Sequence, residues 1–257
     1  MKKTFILLLL LLPAVAVFGW GKLGHTTAIA LAERHLTERT KENIAKFFQH
    51  DIIKDAVWMD HHRHDKEIAY TSHWHGCYVD KDFNFDPNPT LAEGCVVRSF
   101  SVVEENLSKW RELTDSAVVM NVRMLIHFAA DVHCPTHNHF HYRKPRYVCY
   151  LNGTKIPKFH SVYDKMPNYV FPKMNAREVA KLIDTKNSKE IKKITNGNWL
   201  DWIKETAKDN YSIYSINPFG QTELANDTVE RSRELIIRDL QRSGYRLAYM
   251  LNKYFDN

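Results

Sequence analysis

Along most of this chain, hydrophobic residues recur at the three-and-four spacing of a helix rather than the alternation of a strand. The spacing predicts helices over residues 25–36, 38–48, 96–112, 116–133, 176–184, 199–212 and 228–253. In the fourth of these, Val119, Val122, Leu125 and Ile126 supply the apolar face. Pro135 stops it, because proline has no amide hydrogen to give and crowds the preceding turn. In the last, Leu235, Ile236, Leu240, Leu247 and Leu251 fall on one stripe. Residues 77–89, with their Asp-Pro-Asn-Pro run, and 137–158 read as loops, and strand signals are short and isolated. With no repeat and no linker, the pattern predicts an all-α fold.

The first residues stand apart. Lys2 and Lys3 precede an apolar run from Phe5 to Phe18 that ends in small residues around Val17 and Gly19. That order is the one a secretory signal peptide has. The run falls short of the roughly 20 residues that span a bilayer. Residues 1–19 are therefore expected to be removed, leaving a single domain over 20–257 that starts at Trp20 and is exported to the periplasm or beyond.

Charge and cysteine add little by themselves. Without Lys2 and Lys3 the chain holds 34 basic and 30 acidic residues, a mild excess that suits a phosphate-bearing substrate and equally suits solubility. Cys77, Cys95, Cys134 and Cys149 lie in an expected exported chain, where disulfides are permitted. Three pairings are open, with the local pairs Cys77–Cys95 and Cys134–Cys149 preferred. No CxxC spacing assigns them to metal.

Histidine changes the picture, with 14 in the chain and several beside aspartate. On a helix, His127 and Asp131 are one turn apart and project into one space, and His137 follows just past the helix end. His160 and Asp164 repeat the spacing. Imidazole and carboxylate are ligands that zinc accepts, and a backbone that fixes their spacing binds at small entropic cost. One such pair is more often a surface feature, but two pairs and a third histidine point to metal. Asp60, His73 and His75 lie upstream, while His61, His62, His64 and Asp65 read as a solvated polar run.

Taken with "WGKLGH" from Trp20, "WMD" at Asp60, "HWHG" around His75, "HFAADVHCPTH", "FHSVYD" and the final "RLAYMLN", this pattern resembles the trinuclear-zinc nucleases of the S-one/P-one type. The resemblance covers the whole mature chain. It implies a multi-helix domain with a three-zinc cleft and nine metal-binding residues: Trp20 through its free amine and carbonyl, His25, Asp60, His75, His127, Asp131, His137, His160 and Asp164. His73 is the alternative to His75. By the same resemblance Asp131 bridges two zincs, one held by Asp60, His75 and His127, the other by Trp20 and His25. The third is held by His137, His160 and Asp164.

The activity so implied is hydrolysis of the 3′ oxygen–phosphorus bond of single-stranded DNA and RNA to 5′-nucleotides, together with removal of 3′-phosphates from 3′-nucleotides. Metal ions activate water and neutralise phosphate charge, and the third ion stabilises the departing oxygen. Asp60 orients the water and Arg63 faces the phosphate. Family members carry an aromatic directly after the histidine that matches His75; here Gly76 and Cys77 intervene, so Tyr78 is the candidate base-stacking residue. Cys134 and Thr136 replace commoner residues and are expected to affect packing rather than metal. No stable membrane association after cleavage and no protein partner are implied. Two other readings are a zinc-dependent phospholipase C, which differs in its spacings and has Glu in the last pair, and a non-catalytic periplasmic metal-binding protein.

Overall fold

The computed structural model describes residues 20–87, 94–140, 148–213 and 223–257. Residues 1–19, expected to be a signal peptide, and part of the Asp-Pro-Asn-Pro run lie outside them. The fold is all-α, with ten α-helices and two small sheets among the described residues.

Helix α1 (Lys22–Glu33) starts at Gly21. Helix α2 (Glu38–Ala45) is capped by the Thr37 hydroxyl, which accepts from the Thr40 amide. A 3₁₀ turn at Ile52–Val57 leads into the single turn α3 (Trp58–His62). Helix α4 (Val96–Leu107) ends sooner than its periodicity predicts, and Trp110–Glu112 forms a separate 3₁₀ turn. Helix α5 (Asp115–Asp131) begins at a Thr114 cap and gives way to turns before Pro135. Then follow α6 (His160–Val170), α7 (Ala176–Ile183), α8 (Ser188–Ile194), α9 (Trp199–Asn210) and the 28-residue α10 (Thr228–Phe255). Asn175, Asn187 and Asn198 cap α7, α8 and α9 with reciprocal capping boxes to Glu178, Glu190 and Asp201.

Both segments expected to be loops contain strands. Strand β1 (Cys77–Val79) pairs antiparallel with β2 (Phe85–Asp86) and parallel with β3 (Asn138–Phe140). Strands β4 (Cys149–Leu151) and β5 (Thr154–Ile156) form a hairpin. Its turn, Asn152-Gly153, has φ of 50° and 72°, the paired positive values that join strands with a matching twist.

Two hydrophobic clusters make the core. One gathers α2, α4, α5 and α9 around Phe100, Leu125, Phe128 and Trp202. The other gathers α6, α7 and β4–β5 around Trp20, Phe159, Tyr163 and Ile236. Helices α1, α5 and α10 contribute to both clusters. Helix α1 lies directly on α10, where Gly244 leaves room for Leu31. The buried polar side chains of α1 and α5 therefore stand where the two clusters meet.

The expected cysteine pairs are not formed. Cys77, Cys95, Cys134 and Cys149 are all buried, and none is joined in a disulfide. The permissive compartment inferred from the leader bears on redox potential, and it carries no information on how four thiols are oriented.

Candidate metal centre

His25 reaches the centre from α1, Asp60 from α3, and His127 with Asp131 from α5. His75 precedes β1, His137 precedes β3, and His160 with Asp164 occupies the start of α6. Local packing fixes these approaches. Asp55, buried in the turn before α3, pairs with Arg123 of α5 at 2.6 Å and with His50 at 2.5 Å, tying the Asp60 segment to α5. Gly76 lets the backbone after His75 close on the His137 carbonyl, which accepts from the Cys77 amide at 3.0 Å; a Cβ at Gly76 would collide with that carbonyl. At the N-terminal end, the Gly21 amide donates to the Asp164 carbonyl at 2.6 Å, and Trp20 is fully buried beside Gly24.

The atoms converge on a small volume. Nδ1 of His75 and Nε2 of His127 are 3.1 Å apart. Each lies 3.6 Å from Oδ1 of Asp60, and they lie 2.9 and 3.2 Å from Oδ2 of Asp131. Ligand atoms about 2.0 Å from a tetrahedral ion are separated by about 3.3 Å, so these spacings are those of a metal's ligand shell. Oδ1 of Asp131 turns the other way, 3.4 Å from His25 Nε2 and 3.5 Å from His137 Nδ1. One carboxylate thus offers an oxygen to each side. On the third side, Asp164 Oδ1 lies 3.4 Å from His160 Nε2 and 3.9 Å from His137 Nε2.

Hydrogen bonds set the tautomers. Nδ1 of His127 faces the Ala56 carbonyl at 2.8 Å; a carbonyl only accepts, so Nδ1 carries a hydrogen and Nε2 is the nitrogen turned toward the two carboxylates, free to give up its proton to a cation. Nδ1 of His137 likewise donates to the carbonyl of His75, leaving Nε2 toward Asp164. His133, buried two residues after Asp131, is committed elsewhere. It donates to the Ala129 carbonyl at 2.7 Å and accepts from Arg246 at 2.8 Å, and burial together with the Arg246 charge holds it well below the usual imidazole range.

Electrostatics reports the same crowding. Burial lowers His25 and takes His75 down to about 4. Burial would also lower His127, but the carboxylates of Asp131 and Asp60 outweigh it and raise the group to about 9. Asp131 is buried too, yet His127 and His137 together hold it well below the carboxylate range. Burial pushes Asp60 and Asp164 up. Both nitrogens of His25, both oxygens of Asp60, Nε2 of His75 and Oδ1 of Asp131 are buried with no hydrogen-bond partner. Of these, Nε2 of His25, both oxygens of Asp60 and Oδ1 of Asp131 face the shared centre, and several orphaned acceptors around one point is an arrangement that a divalent cation satisfies and protons alone do not. The residues fit a metal.

Among the described residues, three groups of side chains have the spacing of a metal site: His25, His127 and Asp131; Asp60, His75 and His127; and Cys134, His137 and Asp164. Cys134 is the participant that the sequence assigns to packing. Its one signal there is its place, three residues after Asp131 and three before His137. The structure brings His75 to the cluster and leaves His73 exposed outside it. His61 and His64 are exposed and His62 pairs with Asp65 at 2.6 Å, so this run is the solvated surface expected. Arg63 donates to the Ser72 carbonyl at 3.4 Å and lies close enough for its charge to act on Asp60 and His75. Tyr78 stands half-buried on β1, on the face opposite Cys77 and Val79.

An all-α fold that concentrates histidine and aspartate at a buried junction has the makings of a helical metal-binding protein. The S1/P1 nuclease family matches residues 20–256, nearly all of the 257-residue chain, and the chain belongs to that family. It is a family of zinc-dependent hydrolytic nucleases, so the substrate class is nucleic acid. No curated protein matches the chain.

Proposed function

We propose that the mature protein is an exported nuclease that binds three zinc ions, cleaves the 3′ oxygen–phosphorus bond of single-stranded DNA and RNA, and also removes 3′-phosphates from nucleotides. The observation that carries this reading is the shell of Asp60, His75, His127 and Asp131, with Asp131 offering its second oxygen toward His25. Bound ions supply Lewis acidity toward water and the phosphoryl oxygens.

The remaining work falls to the chain. Asp131 serves two neighbouring sites at once, with His25 and the freed amine and carbonyl of Trp20 on one side and Asp60, His75 and His127 on the other. Removal of residues 1–19 exposes that amine, whose ordinary pKa near 8 allows a cation to displace its proton. The Gly21–Asp164 hydrogen bond and the buried Trp20 ring hold the terminus for this role. His137, His160 and Asp164 would hold the third ion, which would supply charge stabilisation to the leaving oxygen. Asp60, with an unengaged buried oxygen, accepts a hydrogen bond from the attacking water and orients it. Arg63, always charged, faces the phosphate as negative charge builds on it. Tyr78 offers an aromatic face to an unpaired base, which a stacked duplex does not present.

The test uses protein beginning at Trp20, assayed for zinc content and for hydrolysis of single-stranded DNA, duplex DNA, a 3′-nucleotide and phosphatidylcholine vesicles. About three zincs per chain and chelator-sensitive cleavage of single strands and of the 3′-nucleotide are expected. Cleavage of the phospholipid alone would transfer the reading to a phospholipase C. Three zincs without hydrolysis of any of them would leave a metal-binding protein.

A further inference from the structure

Two tight turns carry the chain from Asp131 to His137. The Cys134 amide donates to the Asp131 carbonyl at 2.8 Å, and the His137 amide donates to the Cys134 carbonyl at 3.0 Å. Between them the Cys134 side chain turns inward and is wholly buried. Its Sγ lies 3.8 Å from Oδ1 of Asp164, the same oxygen that faces His160 at 3.4 Å and His137 at 3.9 Å. Sγ, a ring nitrogen of His137 and a carboxylate oxygen of Asp164 all lie within 4.8 Å of one another. Cys134, His137 and Asp164 are all buried, and the half-buried His160 reaches the same Asp164 oxygen from the start of α6. A sulfur at about 2.3 Å and an oxygen at about 2.0 Å from a tetrahedral ion stand about 3.5 Å apart. The observed 3.8 Å is within a small side-chain adjustment of that value.

We propose that Cys134 is a fourth protein ligand of the metal ion held by His137, His160 and Asp164. This rests on the three-ion reading of the same centre. The thiol proton passes to solvent as the metal–sulfur bond forms, and two anionic ligands then balance one divalent ion. The consequences differ from those of a three-ligand site. The fourth position is filled by protein, so this ion meets the leaving oxygen only by expanding its coordination. The sulfur also biases the site toward zinc and other soft ions and away from magnesium and calcium. Coordination and a Cys134–Cys149 disulfide exclude each other.

X-ray absorption at the zinc edge, on protein starting at Trp20 and loaded to its full zinc content, tests this directly. A sulfur shell at about 2.3 Å on one ion in three is expected, present in Cys149→Ser and absent in Cys134→Ser. Cobalt-substituted protein gives an independent readout, with a thiolate-to-metal charge-transfer band that Cys134→Ser abolishes. If the variant does not fold, the wild-type and Cys149→Ser spectra still decide the matter. Three zincs surrounded by nitrogen and oxygen alone would overturn the role of Cys134 and leave the three-ion centre standing. Fewer than three zincs in the wild-type protein would overturn both.

Discussion

Gly244→Ala probes the contact on which the placing of His25 depends. A Cβ at Gly244 would stand 2.7 Å from Cβ, Cγ and Cδ2 of Leu31. Carbon atoms in contact prefer about 3.5–4.0 Å, so the overlap is about 1 Å. A new rotamer cannot relieve it, because Leu31 Cβ is fixed to the α1 backbone and the side chain is fully buried. Helices α1 and α10 must separate instead. Alanine is about 1 kcal/mol better than glycine inside a helix, whereas overpacking a tight interior costs about 1–3 kcal/mol. Because the overlap falls on a fixed Cβ, the cost lies at the upper end of that range, so the clash wins with a net loss of about 2 kcal/mol and a Tm lower by about 4–8 °C for a domain of this size. His25 lies six residues before Leu31 on the same helix, about 9 Å along its axis, so zinc content should fall as well. Thermal unfolding and metal analysis read the two effects. Gly153→Ala is the contrasting control: it meets nothing within 4 Å but has φ of 72°, so about 1 kcal/mol of local strain and unchanged zinc content are expected. A Gly244→Ala protein as stable as the parent, with full zinc content, would refute the close approach of α1 to α10.

Other perturbations reach different parts of the reasoning. Asp131→Asn removes the oxygen charge shared by two sites; zinc content should drop by about two ions, and nuclease turnover by roughly a hundredfold or more. Metal removal should destabilise the fold, because ions that bind the native state at about a thousand times their Kd stabilise it by about 4 kcal/mol; an unchanged Tm in chelator would contradict a buried centre. An extra residue before Trp20 should reduce both zinc content and activity, whereas the same addition after Asn257 should leave both intact. Asp239 gives a pH signature of its own. Burial lifts its carboxyl to about 6 against an unfolded value near 3.8, with Arg238 and Arg242 only partly offsetting it. The folded state then holds the proton longer than the unfolded one, so this group lowers stability as pH rises from about 4 to about 6, by about 3 kcal/mol in all. Subtracting the Asp239→Asn denaturation curve from that of the parent should isolate that fall; a flat difference would refute it.

Long amphipathic elements are legible in the sequence. Helix α5 can be read nearly end to end because its apolar stripe is unbroken and Pro135 marks its limit. Helix α6 is obscured by Pro167 inside it, although His160 and Asp164 show the helical spacing they occupy. Helix α8 escapes for another reason: it buries no residue, so it has no stripe to detect and starts from a capping box. The hairpin β4–β5 does leave a signal, the Asn152-Gly153 pair, which is easily lost inside an apparent loop. Strands β1 and β3 leave none. Each has three residues, and they meet from parts of the chain about sixty residues apart. The site follows the same division. His127 with Asp131 and His160 with Asp164 are encoded by local spacing, whereas Asp60, His25 and His75 need the family resemblance. Cys134 defeats a reading by spacing because its direction depends on two backbone turns beyond the helix.

His75 does two things at once: its ring faces Asp131 at 2.9 Å, and its carbonyl receives the hydrogen that orients the ring of His137. Asp131 is divided in the same way between its two oxygens. No ion can therefore settle without stiffening the ligands of its neighbours. Uptake should be cooperative and steeper than independent binding allows, and a half-loaded sample should be a mixture of full and empty molecules rather than a population of partly filled ones.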